Sequence, residues 1–146
     1  YDMQNDIARI KQNALVRRND RILTGDSLFF DQEKGFGRGF SNVTVWDTKE
    51  QLLLKGNYGQ YYDEPRRAMM TDSALFIDAS NPQDSVFLHA DTLRLRYDST
   101  QSNEIVRAYY RAQIFKKDVQ ARSDSITYTR ADSVIRFYHN PVIWSD

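Results

Sequence analysis

The sequence predicts an all-β protein, and three observations carry that prediction. Nine Tyr, eight Phe and two Trp make up 13% of the 146 residues, and aromatic side chains favour strands. Apolar residues alternate with polar ones over short runs, which is the period of a strand with one buried face. A similar phrase recurs three times, as "DSLFFD" at 26–31, "DTLRLRYD" at 91–98 and "DSITYTRAD" at 124–132.

The repeated phrases belong to a two-strand module of roughly 30 residues, of which about four copies follow one another. A fixed-period repeat indicates that neighbouring units stack to bury a shared apolar face. Aspartates mark the predicted strand ends: Asp20, Asp31, Asp47, Asp63, Asp78, Asp98, Asp118, Asp132 and Asp146. Because aspartate bonds its own backbone in turns, we interpret these as turn residues. They lack the converging spacing of a calcium loop.

Only the amino terminus suggests an element other than a strand. Residues 2–16 could place Ile7, Ile10 and Ala14 on one side of a helix, but we assign strand from Asn13 onward.

Further along the chain, loops are predicted at 32–39 and 79–85, where Gly, Pro, Asn and Ser cluster. The second module departs from the others, since Asn57 replaces the first aspartate of the phrase and Gly59 replaces its leucine.

The alternation predicts one buried and one solvated face for every strand, as in antiparallel sheets. If the modules bend into a V, their apolar faces enclose one continuous groove. We predict that ten residues line it: Leu28, Phe30, Val43, Val45, Phe76, Leu93, Leu95, Ile114, Ile126 and Trp144. Phe29 and Trp46 are predicted to face outward. The resulting fold class is a repeat-built antiparallel β-jellyroll, open at both end strands, where further strands can pair.

Composition narrows the possible functions. Twenty Lys and Arg balance 20 Asp and Glu, which argues against binding nucleic acid through its phosphates, although a local basic patch stays open. The absence of Cys excludes cysteine zinc sites, disulfides and a cysteine nucleophile. No apolar run is long enough for a membrane-spanning helix. We interpret residues 1–146 as a single domain, cut from a longer protein.

No enzyme, metal site or cofactor site is predicted. The two histidines, His89 and His139, are interpreted as surface or strand-edge residues, and no nucleophile elbow, zinc motif or phosphate loop occurs. A carboxylate pair for glycoside hydrolysis stays open, because nothing in the pattern selects one pair from the many acids.

Three basic pairs stand out, at Arg17–Arg18, Arg66–Arg67 and Lys116–Lys117. Near a rim they could contact lipid phosphates. The alternative is that they form a solvated edge that discourages aggregation, which is the interpretation we favour.

The alternating strand types resemble the OstA-like family, which includes LptA, LptC and the N-terminal domain of LptD. Two features carry the resemblance, a strand of the form Leu-x-Gly/Ala-Asp-Ser/Thr-Leu-x-Tyr and a partner strand containing Asn-Val. The matching positions are Leu23, Gly25, Asp26, Leu28, Gly39, Asn42, Val43, 54–62, Leu88, Ala90, Asp91, Leu93 and Tyr97. The resemblance covers the chain from about Asn13 to Asp146 and implies a jellyroll shaped like a folded taco.

The resemblance also implies a function. Such a protein would act in the periplasm of a Gram-negative bacterium, where it could associate with the outer membrane. It would bind the acyl chains of lipid A and form a bridge for lipopolysaccharide transport with other OstA-like proteins, or with copies of itself, by pairing edge strands.

Two alternatives to lipid transport stay open. The same strands could form a structural scaffold that assembles by edge pairing without lipid. Outward aromatics such as Trp46 and Tyr109 could instead stack on sugars.

Overall fold

A computed structural model describes residues 7–18, 20–63, 66–97 and 103–145, and all regular structure within them is β. There are ten strands in these ranges: β1 (Ile7–Arg18), β2 (Arg21–Asp31), β3 (Phe36–Asp47), β4 (Leu52–Tyr62), β5 (Arg67–Asp78), β6 (Val86–Tyr97), β7 (Glu104–Lys116), β8 (Val119–Thr129), β9 (Val134–Tyr138) and β10 (Val142–Ser145). The described part contains no helix of the length and hydrophobicity needed to cross a membrane.

The strands form one antiparallel meander in which β1 to β8 each pair with the next strand in sequence. The far edge of β8 is shared, because β9 pairs with residues 125–129 and β10 with residues 119–122. Together β9 and β10 occupy the place of one long strand that bends in its middle. The sheet does not close on itself within the described residues, so β1 lies at one end and β9 with β10 at the other.

Every long strand bends near its middle, and the bends align across the sheet in one line that we call the crease. An extra residue in alternate strands creates this bend. Between the pairs Thr24–Thr44 and Ser27–Phe40, β3 advances four residues while β2 advances three. The same excess recurs in β5 and β7. Two consecutive residues with positive φ mark each of these three bulges: Ser41–Asn42, Asp72–Ser73 and Tyr110–Arg111. A fourth such pair, His139–Asn140, lies at the same level between β9 and β10. A bulge sharpens the local bend of a strand.

The other strands carry a small residue on the inner side of the crease, followed by Asp or Asn on the outer side. The four pairs are Gly25–Asp26, Gly56–Asn57, Ala90–Asp91 and Ser123–Asp124. Lack of space explains the glycine at position 56. A Cβ placed on Gly56 would lie 2.4 Å from Cγ of Met70 and 2.8 Å from the carbonyl oxygen of Thr71. The repeated phrase therefore records where the sheet folds over.

The crease divides the sheet into two facing walls. The first wall contains residues 14–18, 21–25, 43–47, 52–56, 74–78, 86–90, 112–116, 119–123 and 142–145. The second wall contains residues 7–11, 27–31, 36–40, 58–62, 67–71, 92–97, 104–109, 125–129 and 134–138. Apolar side chains between the walls form one core, and Phe76, Met70, Leu88 and Leu93 in it are fully buried.

The all-β prediction is confirmed, as is the placement of turns at the aspartates. Asp31, Asp47, Asp78 and Asp132 each accept a hydrogen bond from a backbone N–H two or three residues later. Asp98 and Asp146 lie outside the described residues.

One local prediction was confirmed and one was wrong. The strand assigned from Asn13 is present and already begins at Ile7, because pairing with β2, for example of Ile10 with Leu28, outweighs the helical pattern that also fitted this segment. The loop predicted at 32–39 shrinks to a turn, since β3 already begins at Phe36. The loop at 79–85 is present as predicted.

Candidate functional site

The inner faces of the two walls form the candidate lipid-binding surface, and nine of the ten predicted lining residues lie on them. Eight are buried: Leu28, Phe30, Val43, Val45, Phe76, Leu93, Ile114 and Ile126. Leu95 is half-buried and packs against this core. Sequence reasoning left out several equally buried neighbours, among them Leu54, Leu88 and Val106. The same period-two alternation would have found these three.

The tenth predicted lining residue, Trp144, faces outward. Its direct cross-strand partner is Gln120, whereas Ile143 pairs with the buried Ala121 and takes the inward position. Trp144 instead ends an outer row on the first wall that runs Ile22, Trp46, Leu53, Ile77, Phe87, Phe115, Gln120 and Trp144. Both Ile143 and Trp144 are exposed at this open end, so the cross-strand register decides that Trp144 faces outward.

The space between the walls is closed by direct packing. The rings of Phe76 on the first wall and Tyr128 on the second wall have centroids 6.2 Å apart. Both side chains are buried, as are Leu93 and Ile126 on the second wall. A ligand can therefore enter this apolar interior only where the walls separate.

A polar cluster joins the walls at the mouth of the V, on the side opposite the crease. The Tyr128 hydroxyl and Nε of Arg130 both donate to Oδ2 of Asp78, at 3.0 and 3.2 Å. Arg130 also donates through Nη1 to Oε2 of Glu50 at 3.1 Å. Asp78 and Glu50 belong to the first wall and its turns, and Tyr128 and Arg130 to the second. We call these four residues the mouth latch; they line a polar cleft of about 410 Å³.

Electrostatics within the latch favour the charged carboxylate. Burial alone would raise the pKa of Asp78, but hydrogen bonds from Ser80 and Tyr128 and the nearby Arg130 charge hold it below its ordinary value of 3.8. Burial and the Asp78 charge raise the pKa of Tyr128 to about 12. Burial would lower the pKa of Arg130, yet the surrounding carboxylates raise it. At neutral pH the latch is thus an ion pair bridged by a neutral phenol.

A second contact joins the walls nearer to β1. Nη2 of Arg21 lies 3.1 Å from Oδ2 of Asp47, with only 7% of either side chain exposed. The Arg21 guanidinium also lies over the Tyr61 ring of the opposite wall, 5.9 Å from its centroid. Burial, partly offset by the Arg21 charge, raises the pKa of Tyr61 to about 12. Buried polar groups therefore flank the apolar interior along the mouth.

Comparison with solved structures reveals a match for this arrangement. The crystal structure of LptH from Pseudomonas aeruginosa, described as the LptA homologous periplasmic component of the lipopolysaccharide transport device, superposes with a TM-score of 0.69. The match covers 82% of each chain at 17% sequence identity. The chain has an LptA-like fold. This confirms the architecture that the sequence repeat predicted, while the sequence itself matches no protein-family model and no curated protein.

Other residues singled out in the sequence do not converge on a second site within the LptA-like fold. His89 lies in an outer row of the first wall, and His139 lies exposed at the crease. No group of three or more His, Asp or Glu side chains among the described residues is placed to hold a metal ion. Trp46 and Tyr109 lie on the outer faces of different walls, so they form no common platform for a sugar.

The three basic pairs also occupy separate places. Arg17 is exposed near the end of β1, and the Arg18 side chain lies outside the described residues. Arg66 and Arg67 are exposed at the start of β5. Nζ of Lys116 lies 2.7 Å from Oδ2 of Asp84. This ion pair holds the third basic pair, Lys116–Lys117, within the rim.

Proposed function

We propose that the chain is a non-enzymatic module of lipopolysaccharide transport that holds acyl chains between its two walls. The observation that carries this proposal is the continuous apolar inner face, to which β1 through β8 contribute without a charged side chain at its centre. The fold similarity to LptH supports it and supports a place in the periplasm, where an association with the outer membrane would follow from the direction of transport.

The inner face suits acyl chains for a physical reason. Burying hydrocarbon yields about 0.8 kcal/mol per CH₂ and requires no directional bond. Aliphatic and aromatic residues repeat at similar positions from strand to strand, so a chain can shift along the face without crossing a polar barrier. Such a surface favours passage over retention.

Binding requires the walls to part, since the interior is already packed. The mouth latch and the Arg21–Tyr61 contact would open, while the crease would act as the hinge. The lipid then replaces the apolar contacts that Phe76 and Tyr128 lose. The phosphates of lipid A would remain near the polar mouth, where opening of the latch would release Arg130 from Asp78.

Neighbouring modules would join at the sheet ends. The proposed partners are other LptA-like proteins or a second copy of this chain, which would pair with β1 or with β9 and β10. Ile143, exposed by 57%, and Trp144, exposed by 43%, would be covered there. Unpaired edge strands are the usual sites of such augmentation.

Photocrosslinking tests the lipid-binding proposal with a control on the adjacent residue. A photoreactive amino acid at Phe30, Phe76 or Leu95 should crosslink to lipopolysaccharide. Phe30 is buried between the walls, whereas Phe29 lies on the outer face against Arg9 and Arg38. The probe at Phe29 should give little product. Equal yields at 29 and 30, or none at any inner position, would contradict lipid binding between the walls.

A scaffold without lipid is the second candidate, and the exposed apolar edge at β10 favours it. That function predicts concentration-dependent oligomers that Val142→Pro abolishes, because proline removes a donor from an edge strand. Oligomers that form without lipid, combined with no crosslinking from the inner positions, would select the scaffold over the carrier.

A further inference from the structure

The outer face of the second wall carries a concentration of arginines that the formally neutral composition conceals. One row of cross-strand neighbours runs Arg9, Phe29, Arg38, Gln60, Met69, Arg94, Arg107, Thr127 and Arg136. The next row outward places Arg67 directly opposite Arg96. We call Arg67, Arg94, Arg96 and Arg107, on the adjacent strands β5, β6 and β7, the arginine patch.

The arginine patch sets like charges against each other. Arg94 is the direct cross-strand partner of Arg107, and Arg67 is that of Arg96. Like charges directly opposite destabilise a sheet. Among the described residues no carboxylate forms an ion pair with any of the four. An anion bound between the two pairs would turn this repulsion into attraction.

The arginine patch surrounds a shallow cleft that is lined by both polar and apolar side chains. The cleft has a volume of about 260 Å³, and its lining includes the four arginines together with Met69, Leu95, Tyr62 and Tyr109. The Arg67 guanidinium lies 4.2 Å from the centroid of the Tyr62 ring. Stacking of this kind fixes a guanidinium while its N–H groups stay free to donate.

The patch is limited in extent, which restricts its partner. Asp72 and Asp91 lie at the crease on one side, and Asp63 lies in the turn at the other end of the wall. A long polyanion lying along the strands would meet these carboxylates. A compact phosphate beside hydrocarbon matches both the guanidinium groups and the apolar lining.

We propose that the arginine patch binds the phosphate of an anionic phospholipid headgroup and so docks the outer face of the second wall on a membrane surface. Guanidinium groups bind phosphate by paired, charge-assisted hydrogen bonds. Met69, Tyr62 and Tyr109, whose side chains lie on the outer face, would contact the glycerol and upper acyl region. This site lies on the opposite face of the wall from the acyl-chain surface and does not depend on it.

Vesicle sedimentation tests the proposal. The chain should bind vesicles of phosphatidylcholine mixed in equal parts with phosphatidylglycerol, and should not bind vesicles of phosphatidylcholine alone. The double variant Arg94→Gln/Arg107→Gln should bind roughly 25-fold more weakly, from about fivefold for each arginine near an anionic surface. Added salt should weaken binding, since it screens exposed charges.

A matched control variant separates the effect of the arginine patch on binding from the effect of net charge. Arg17→Gln/Arg122→Gln removes the same charge from the outer face of the first wall, where both arginines are exposed, and should bind as the unsubstituted chain does. Thermal melting should show the patch variant at least as stable as the control, because a like-charge pair has been removed.

Several results would overturn the proposal. Equal losses of vesicle binding in the two double variants, or binding to neutral vesicles, would show that the patch is not the binding site for an anionic lipid. Tighter binding to a single-stranded oligonucleotide than to the anionic vesicles would point to a different partner. Inorganic phosphate that abolishes vesicle binding at the concentration of the lipid headgroups would show that the lipid itself is not recognised. A patch variant that melts well below the control would contradict the like-charge opposition on which the site rests.

Discussion

The Tyr128 hydroxyl donates a 3.0 Å hydrogen bond to Oδ2 of Asp78, which lies 50 positions earlier in the chain and on the opposite wall. Arg130 reaches the same carboxylate oxygen at 3.2 Å. These bonds close the mouth over the apolar interior, and the buried Glu104 carboxylate lies 3.9 Å from Nη1 of the same guanidinium. The latch is therefore the part of the fold that must yield first if the walls separate.

Acid should weaken the latch. The pKa of Asp78 lies below its ordinary value in the folded chain, so its contribution to stability is complete above about pH 4 and is lost as the pH falls below that. In urea unfolding at a series of pH values, Asp78→Asn should lower the stability at neutral pH by about 1–3 kcal/mol. The variant should also show a shallower decline on acidification. An unchanged acid profile would mean that Asp78 does not titrate with folding.

Alkaline titration should distinguish two tyrosines from the rest. Burial raises the pKa of Tyr61 and of Tyr128 to about 12, so both should ionise later than exposed tyrosines when phenolate absorbance is followed. A raised pKa means that the unfolded chain releases these protons first, so stability should fall between about pH 10 and 12. Tyr61→Phe and Tyr128→Phe should each remove part of the late absorbance change, and an unchanged late phase in both variants would contradict the raised pKa values.

The crease should tolerate no added side chain at Gly56. A Cβ there would approach Cγ of Met70 to 2.4 Å and the Thr71 carbonyl oxygen to 2.8 Å. Gly56→Ala should therefore destabilise the chain by about 1–3 kcal/mol in chemical denaturation. The reciprocal change Ala90→Gly, at the equivalent place in β6, should cost only about 0.5–1 kcal/mol. A Gly56→Ala variant that is as stable as the unsubstituted chain would show that the crease can accommodate a Cβ at this position.

Inner and outer aromatics should differ sharply in their contribution to stability. Phe76 is fully buried between the walls, whereas Phe87 on the outer face is 40% exposed. Phe76→Ala should cost about 3–5 kcal/mol, and Phe87→Ala well under half of that. Similar losses for the two variants, measured by urea unfolding, would contradict the division into an inner and an outer face.

Strand ends and inward residues were predictable because both follow from local patterns. The aspartate turns set where each strand stops, and period-two alternation set which side chains meet the core. Trp144 shows where this reasoning failed. Aligning "SNVTVW" with "HNPVIW" on Asn42 and Asn140 places Trp144 with the outward Trp46 and Ile143 with the inward Val45.

The crease and the latch were not predictable from single residues. Asn42 and Asp72 are residue types that tolerate positive φ, but Tyr110 and Arg111 adopt it as well, and nothing in their type announces a bend. The latch depends on which wall each turn meets after folding. The arginine patch likewise appears only once Arg67, Arg94, Arg96 and Arg107 are aligned by register.

Spin-label distances across the mouth test the central claim most directly, and the absence of native cysteine makes the labelling clean. One pair of labels, at Gln51→Cys and Ala131→Cys, lies on exposed turns of opposite walls. The control pair, at Gln51→Cys and Gln83→Cys, lies on two turns of the first wall. Lipopolysaccharide should lengthen the distance between 51 and 131 and leave that between 51 and 83 unchanged. Saturating lipopolysaccharide binding with no change between 51 and 131 would contradict acyl chains entering between the walls.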